Sequence, residues 1–180
     1  EVRDGRLRWP VDIDLDHRMT GQRFISVSRR GKYLLLYTQS GCLIIHLGMS
    51  GALYLASAIA PLKKHDHILF TLRSGQVLRY HDPRRFGSMH WTTHPPLEHP
   101  LLASLGPEPL STDFDGSYLH SIARQKRRAI KVFIMDAHVV VGVGNIYASE
   151  ALFLAQIHPE TPASYLDLAA CSRLVDAIRL

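Results

Sequence analysis

The hydrophobic period of the chain changes near Ser111, and no other feature constrains the fold as tightly. Upstream, apolar residues come in short or alternating runs. FISVSRRGKYLLLYTQSGCLIIHLGM (24–49) holds two such runs around TQSG, a hairpin signal. KHDHILFTLRSGQVLRYHD (64–82) repeats the design around RSG, and its ILFTL and QVLRY alternate as half-buried antiparallel strands do. Residues 93–114 are rich in proline and turn formers and read as a crossing between domains. Downstream the period is helical. YLHSIARQ (118–125), AIKVFIMD (129–136), NIYASEALFLAQ (145–156) and a segment from about Asp167 each suit a helix. Ser111 or Thr112, Asn145 and Ser164 are the cap-type residues near their starts. Ile146, Ser149, Leu152 and Phe153 share one face of the third. The expectation is an α+β chain: a β-rich domain over 1–108, then a helical domain over 109–180.

Composition narrows the class. The chain has 180 residues, 46% of them apolar, enough for a packed core in one large or two small domains. No apolar run is long enough to span a membrane, and the start has no signal-peptide pattern. Cys42 and Cys171 lie far apart and form no CxxC pair, which suits free thiols in a reducing cytoplasm. The first residue is Glu1, not Met, and Leu180 falls inside an apolar helical pattern, so the sequence reads as a fragment.

The formal charge is +5, and its placement says more than its sum. RQKRRAIK (124–131) carries five cations and no carboxylate. Just downstream, HVVVGVGNIYASE (138–150) runs a glycine turn into a helical pattern. The first amides of a helix lack internal partners and attract anions, phosphates above all. Two other readings of Gly142-Val143-Gly144 stay open. It could be a purely structural turn, or a dinucleotide fingerprint whose third glycine is replaced by Tyr147. The cations themselves could form a solvated helix face.

Several further islands admit a functional and a structural reading. DPRRFG (82–87) makes a tight loop between strands. It would present two arginines and Phe86, either as a wedge into a base stack or as a buried ring with solvated arginines. Met49 in HLGMSG (46–51) is a second apolar finger or a core residue. Lys32 follows Arg29 and Arg30; neighbouring cations lower a lysine pKa, which would suit it to proton transfer, though a plain surface lysine fits as well. His65, Asp66 and His67 could bind a metal, with His81 and Asp82 as further ligands, or the histidines could contact phosphate; no CxxC or HExxH spacing supports the metal.

These islands occur in one order: GRLRWP, RRGKYLLL, HLGMSG, KHDH, RYHDPRRFG, LGPEPLS, AIKVFIMD and VVVGVGNIYASE. Together they closely resemble the bacterial formamidopyrimidine-DNA glycosylase (MutM) family over nearly the whole chain, and favour it over its endonuclease VIII relatives. The resemblance implies an antiparallel β-sandwich followed by a helix–two-turn–helix domain. It implies a monomeric cytoplasmic enzyme acting on damaged double-stranded DNA, with no membrane association. It would excise oxidised purines such as 8-oxoguanine and formamidopyrimidines and cleave the abasic strand by β,δ-elimination. By matching position, Lys32 is implied to be the catalytic proton donor. Met49, Arg84 and Phe86 are implied to fill the gap left by a flipped nucleotide. His65, Arg84, Lys126, Lys131 and Asn145 are implied DNA contacts, the last two at phosphate. The family's nucleophile is an N-terminal proline amine followed by a catalytic glutamate, and a zinc finger ends the chain; neither lies within residues 1–180. No cofactor or metal is therefore expected in this chain, one structural zinc is expected in the finger, and the fragment alone is expected to be inactive. A non-catalytic DNA-binding relative is the alternative.

Overall fold

Gly31 takes a φ of 55°, a conformation cheap only for glycine, and so closes Ser26–Arg30 (β1) onto Tyr33–Tyr37 (β2). Arg30 pairs with Tyr33, leaving only Gly31 and Lys32 in the turn. The run read as one apolar strand before TQSG is thus two strands. TQSG then joins β2 to Cys42–His46 (β3), with Tyr37 opposite Cys42. Ser88–Thr92 (β7) pairs with β3 and completes a four-stranded antiparallel sheet of order β1-β2-β3-β7. The computed structural model that shows this describes residues 1–180.

Ala52–Ser57 (β4), Asp66–Thr71 (β5) and Gln76–His81 (β6) form a second antiparallel sheet of order β4-β6-β5. Leu36, Leu43, Ile45 and Met89 of the first sheet share one core with Ile68 and Tyr80 of the second. This is a β-sandwich. Its expected alternation fails in β5, where Asp66 through Leu69 are all buried. Residues 1–3 lie along that strand: Val2 bridges Ile68, and the Arg3 amide donates to the His67 carbonyl. A short helix, Leu15–Met19 (α1), adds Leu15 to the core.

Glu1–His99 and Pro100–Leu180 form two compact units. The break therefore falls before residue 108. Residues 100–108 belong to the second unit because Gly106 donates to the Ala137 carbonyl, and Pro107 accepts from Val141. That unit holds Gly116–Ala123 (α2), Ile130–Ile134 (α3), Asn145–Leu154 (α4) and Leu168–Arg179 (α5). The expected caps move. Asp115, not Ser111 or Thr112, accepts from the Tyr118 amide, and Asp167, not Ser164, accepts from the Ala170 amide. A carboxylate there also meets the positive end of the helix. Of the face shared by Ile146, Ser149, Leu152 and Phe153, only Leu152 is buried, together with Ala148 and Ala151, while Ile146 and Phe153 are 72% and 83% exposed. Alanines let α4 approach its neighbours closely, and the shared core includes Leu119, Phe133, Cys171 and Leu174.

Candidate nucleic-acid interface

Strand register gathers the islands of the first unit at one end of the sandwich. Tyr33 pairs with His46 and His46 with Ser88, so the Gly31-Lys32 turn shares that end with the exit of β3 and the entry of β7. In the second sheet, His81 pairs with both Ala52 and Asp66. The exit of β6, the entry of β4 and His65 therefore lie together. Residues 47–51 cross from β3 to β4, and residues 82–87 cross back from β6 to β7. The two crossovers run side by side. A methyl group placed on Gly48, whose φ is 64°, would sit 2.6 Å from the Phe86 carbonyl carbon.

The 82–87 loop sorts its two arginines. Arg85 takes a φ of 58°, which for a non-glycine residue costs about 1–2 kcal/mol. Its guanidinium donates to the Asp4 carboxylate and, at 3.3 Å, to the Arg6 carbonyl. Hydrogen bonds from Arg6 and then Arg85 hold the Asp4 carboxyl well below the usual carboxylate range. Arg85 is thus a tether. Arg84 is exposed and lies over the Phe86 ring, 4.6 Å from its centroid. Phe86 is 45% exposed and Met49 74%. The buried-ring and core readings of these two residues therefore fail.

Lys32 is exposed at its turn, where the Arg29 guanidinium donates to the Gly31 carbonyl at 2.7 Å. Behind it, the Tyr33 and His46 rings lie 4.8 Å apart. Burial first, then the charges of Arg8 and Lys32, push the His46 pKa down. Its Nδ1 accepts the Gly48 amide at 3.0 Å. Arg8 belongs to GRLRWP, and its own amide donates to the Gly87 carbonyl at 3.1 Å. Sequence reasoning missed both Arg8 and His46, because the pairings that bring them here join distant residues.

The KHDH island divides as well. Asp66 is buried and accepts from Tyr54, the Lys63 amide and Arg79, with His81 Nδ1 at 2.9 Å. Burial alone would raise its pKa, but these donors outweigh it. His67 is buried with Nε2 2.9 Å from the Asp82 carbonyl. His65 stays half-buried at the rim, edge-on to the rings of His67 and His81. No three His, Cys, Asp or Glu side chains gather as a metal cage.

In the second unit, the basic segment is not a helix face. Residues 124–129 form the connector between α2 and α3, with Arg124, Lys126 and Arg127 exposed. The connector clasps the turns between α4 and α5: Ser164 donates to the Lys126 carbonyl, and Ala163 to that of Arg128. Arg128 is spent on Asp136 at 2.8 Å. Lys131 lies on α3, and its amide donates to the Pro159 carbonyl at 3.1 Å. Gly144, not Asn145, is the N-cap of α4, which makes Asn145 the first helical residue, exposed at an anion-attracting start.

Two domain families match this arrangement. Residues 1–89 match the formamidopyrimidine-DNA glycosylase N-terminal domain, and residues 105–180 match the formamidopyrimidine-DNA glycosylase H2TH domain. A formamidopyrimidine-DNA glycosylase of Stutzerimonas stutzeri is 58% identical over 99% of this chain and 66% of its own length. That of Geobacter metallireducens is 51% identical over 99% and 67%. Among solved structures, the Lactococcus lactis enzyme non-covalently bound to DNA containing an AP site superposes with a TM-score of 0.90. The two are 34% identical over 99% of this chain and 69% of that one. The same enzyme with DNA containing FAPY-dG gives 0.91 at 34% identity, covering 99% and 68%. A β-sandwich unit joined to a helix–two-turn–helix unit defines the class. The chain belongs to the formamidopyrimidine-DNA glycosylase family. It spans about two thirds of the length of the relatives it matches.

Proposed function

We propose that the protein to which this chain contributes excises oxidised purines, 8-oxoguanine and formamidopyrimidines, from duplex DNA and cleaves the resulting abasic strand by β,δ-elimination. The observation that carries the reading is the corner where Lys32, Met49, Arg84 and Phe86 stand exposed on neighbouring loops. A damaged base inside the stack is out of reach, so its nucleotide must rotate out at a cost of a few kcal/mol. Met49 and Phe86 offset the lost stacking with apolar contact. Arg84, a pure hydrogen-bond donor, suits the acceptor edge of the unpaired cytosine. Lys131 and the amides at the start of α4 beside Asn145 hold phosphate, and His65 and Lys126 contact the backbone further along. Lys32 donates a proton during β-elimination.

In this reading the attacking group is an N-terminal proline amine, and one structural zinc sits in a C-terminal finger, both assigned outside residues 1–180. The side chains described form no three-ligand cluster and are not assigned the zinc. The partner is damaged double-stranded DNA, the protein acts as a monomer, and its setting is the bacterial cytoplasm. The full-length form should excise 8-oxoguanine opposite cytosine, and borohydride should trap a protein–DNA adduct. Tight lesion binding with neither product nor adduct would instead identify a non-catalytic DNA-binding relative.

A further inference from the structure

We infer that Asp82 is a positioning residue that joins the Met49 crossover and the Arg84–Phe86 crossover into a single wedge. The inference rests on the base-flipping reading above. Asp82 is wholly buried at the exit of β6. One carboxylate oxygen accepts the Gly87 amide at 2.8 Å, with the Tyr80 hydroxyl at 3.4 Å. That bond closes the 82–87 loop on itself. The other oxygen accepts the hydroxyl of Ser50, next to Met49, at 3.4 Å. The Asp82 carbonyl accepts the Arg85 amide at 3.3 Å and faces His67 Nε2 at 2.9 Å. Tyr80 also reaches the His46 carbonyl at 3.2 Å, the last residue before the Met49 crossover.

Asp82 has no lysine or arginine partner. Asp66 in the same sheet does, in Arg79. The Asp82 carboxyl is therefore held by N–H and O–H dipoles drawn from both crossovers, and a buried polar group is costly wherever such partners are lost. The backbones reinforce the link, because Gly48 leaves no room for a side chain against Phe86 and Gly87. Two loops fixed to one buried group cannot move as independent fingers. Coupling of this kind is reciprocal: loosening either loop must loosen the other.

The test uses the full-length form and two readouts: amide hydrogen exchange of residues 48–51 and 84–87, and single-turnover excision of 8-oxoguanine. Ser50→Ala removes one link without opening the core. It should speed exchange in both loops by about 3- to 10-fold, the worth of one hydrogen bond, and slow excision by a similar factor. Asp82→Asn keeps an acceptor for Gly87 and offers an N–H to Ser50, so it should stay close to wild type. Asp82→Ala should free both loops and slow excision on the order of 100-fold, as misplaced groups do, with affinity for undamaged duplex within about 2-fold. Should Asp82→Ala fail to fold, Ser50→Ala and Asp82→Asn still decide the matter. Faster exchange confined to residues 48–51 in Ser50→Ala would overturn the inference. Joint exchange in a wild-type protein that excises nothing would refute the glycosylase reading and leave the coupling standing.

Discussion

Replacing Phe86 with alanine tests the wedge most directly. The ring is 45% exposed in the free protein. A phenylalanine side chain has on the order of 200 Å² to bury, so about 90 Å² is still available to a base stack. At ~25 cal/mol per Å², covering it contributes about 2 kcal/mol. If Arg84 leaves the ring face on insertion, the lost cation–π contact returns about 0.5–1 kcal/mol of that. The net is about 1–2 kcal/mol, or roughly 5- to 30-fold. Phe86→Ala should therefore weaken affinity for an 8-oxoguanine duplex, and slow its single-turnover excision, by that factor. Affinity for an undamaged duplex should hardly change, because nothing is flipped there. Phe86→Leu should recover most of the loss. Titrations of labelled lesion and control duplexes at one salt concentration make the comparison. Equal losses on both would show that the ring supports the loop's fold and does not enter DNA.

Three further perturbations probe other parts of the chain. Lys131→Ala in the full-length form should weaken binding to every duplex and flatten the log K against log salt slope by about 1; an unchanged slope removes Lys131 from the phosphate contacts. His46 should titrate below its ordinary value of 6.5. The unfolded chain then binds the proton more readily, so its contribution to stability is intact above pH 6.5 and is lost as pH falls toward the depressed folded value. Urea melts at falling pH should show the loss, His46→Asn should reduce it, and an imidazole NMR titration at or above 6.5 would contradict it. Leu174→Ala, at a fully buried position of the helical core, should cost about 2–5 kcal/mol in urea unfolding, and a cost under 1 would mean that the site collapses freely.

The islands were legible because short-range rules wrote them. Asp-Pro and the closing glycine marked residues 82–87 as a tight loop, and the glycine turn marked the start of α4 within one residue. Local rules stopped where two candidates obeyed them equally. Local rules alone do not separate Arg84 from Arg85, and only the family resemblance singled out Arg84; a positive φ and a carboxylate at Asp4 make Arg85 the tether. Ser111 and Ser164 were reasonable caps, but Asp115 and Asp167 stand where the chain enters each helix. Helical spacing put Ile146, Leu152 and Phe153 on one face, but the packing of α4 buries Leu152 with the small Ala148 and Ala151 and leaves the other two exposed. Asp82 read as a turn residue or a further metal ligand, and nothing nearby announced that Ser50 and Tyr80 would converge on it.

By itself, the sequence determined the two kinds of secondary structure, their order, and the residue types available for DNA chemistry. Periodicity, glycine conformation and charge act over a few residues and can be read directly. Tertiary structure decided which of those residues share a corner. Strand register brings Lys32, Met49 and Phe86 to one end of the sandwich, and register is set by side-chain packing among segments tens of residues apart. The choice between an exposed wedge and a buried ring was of that second kind. It depended on how much room the packed sheets left for Phe86.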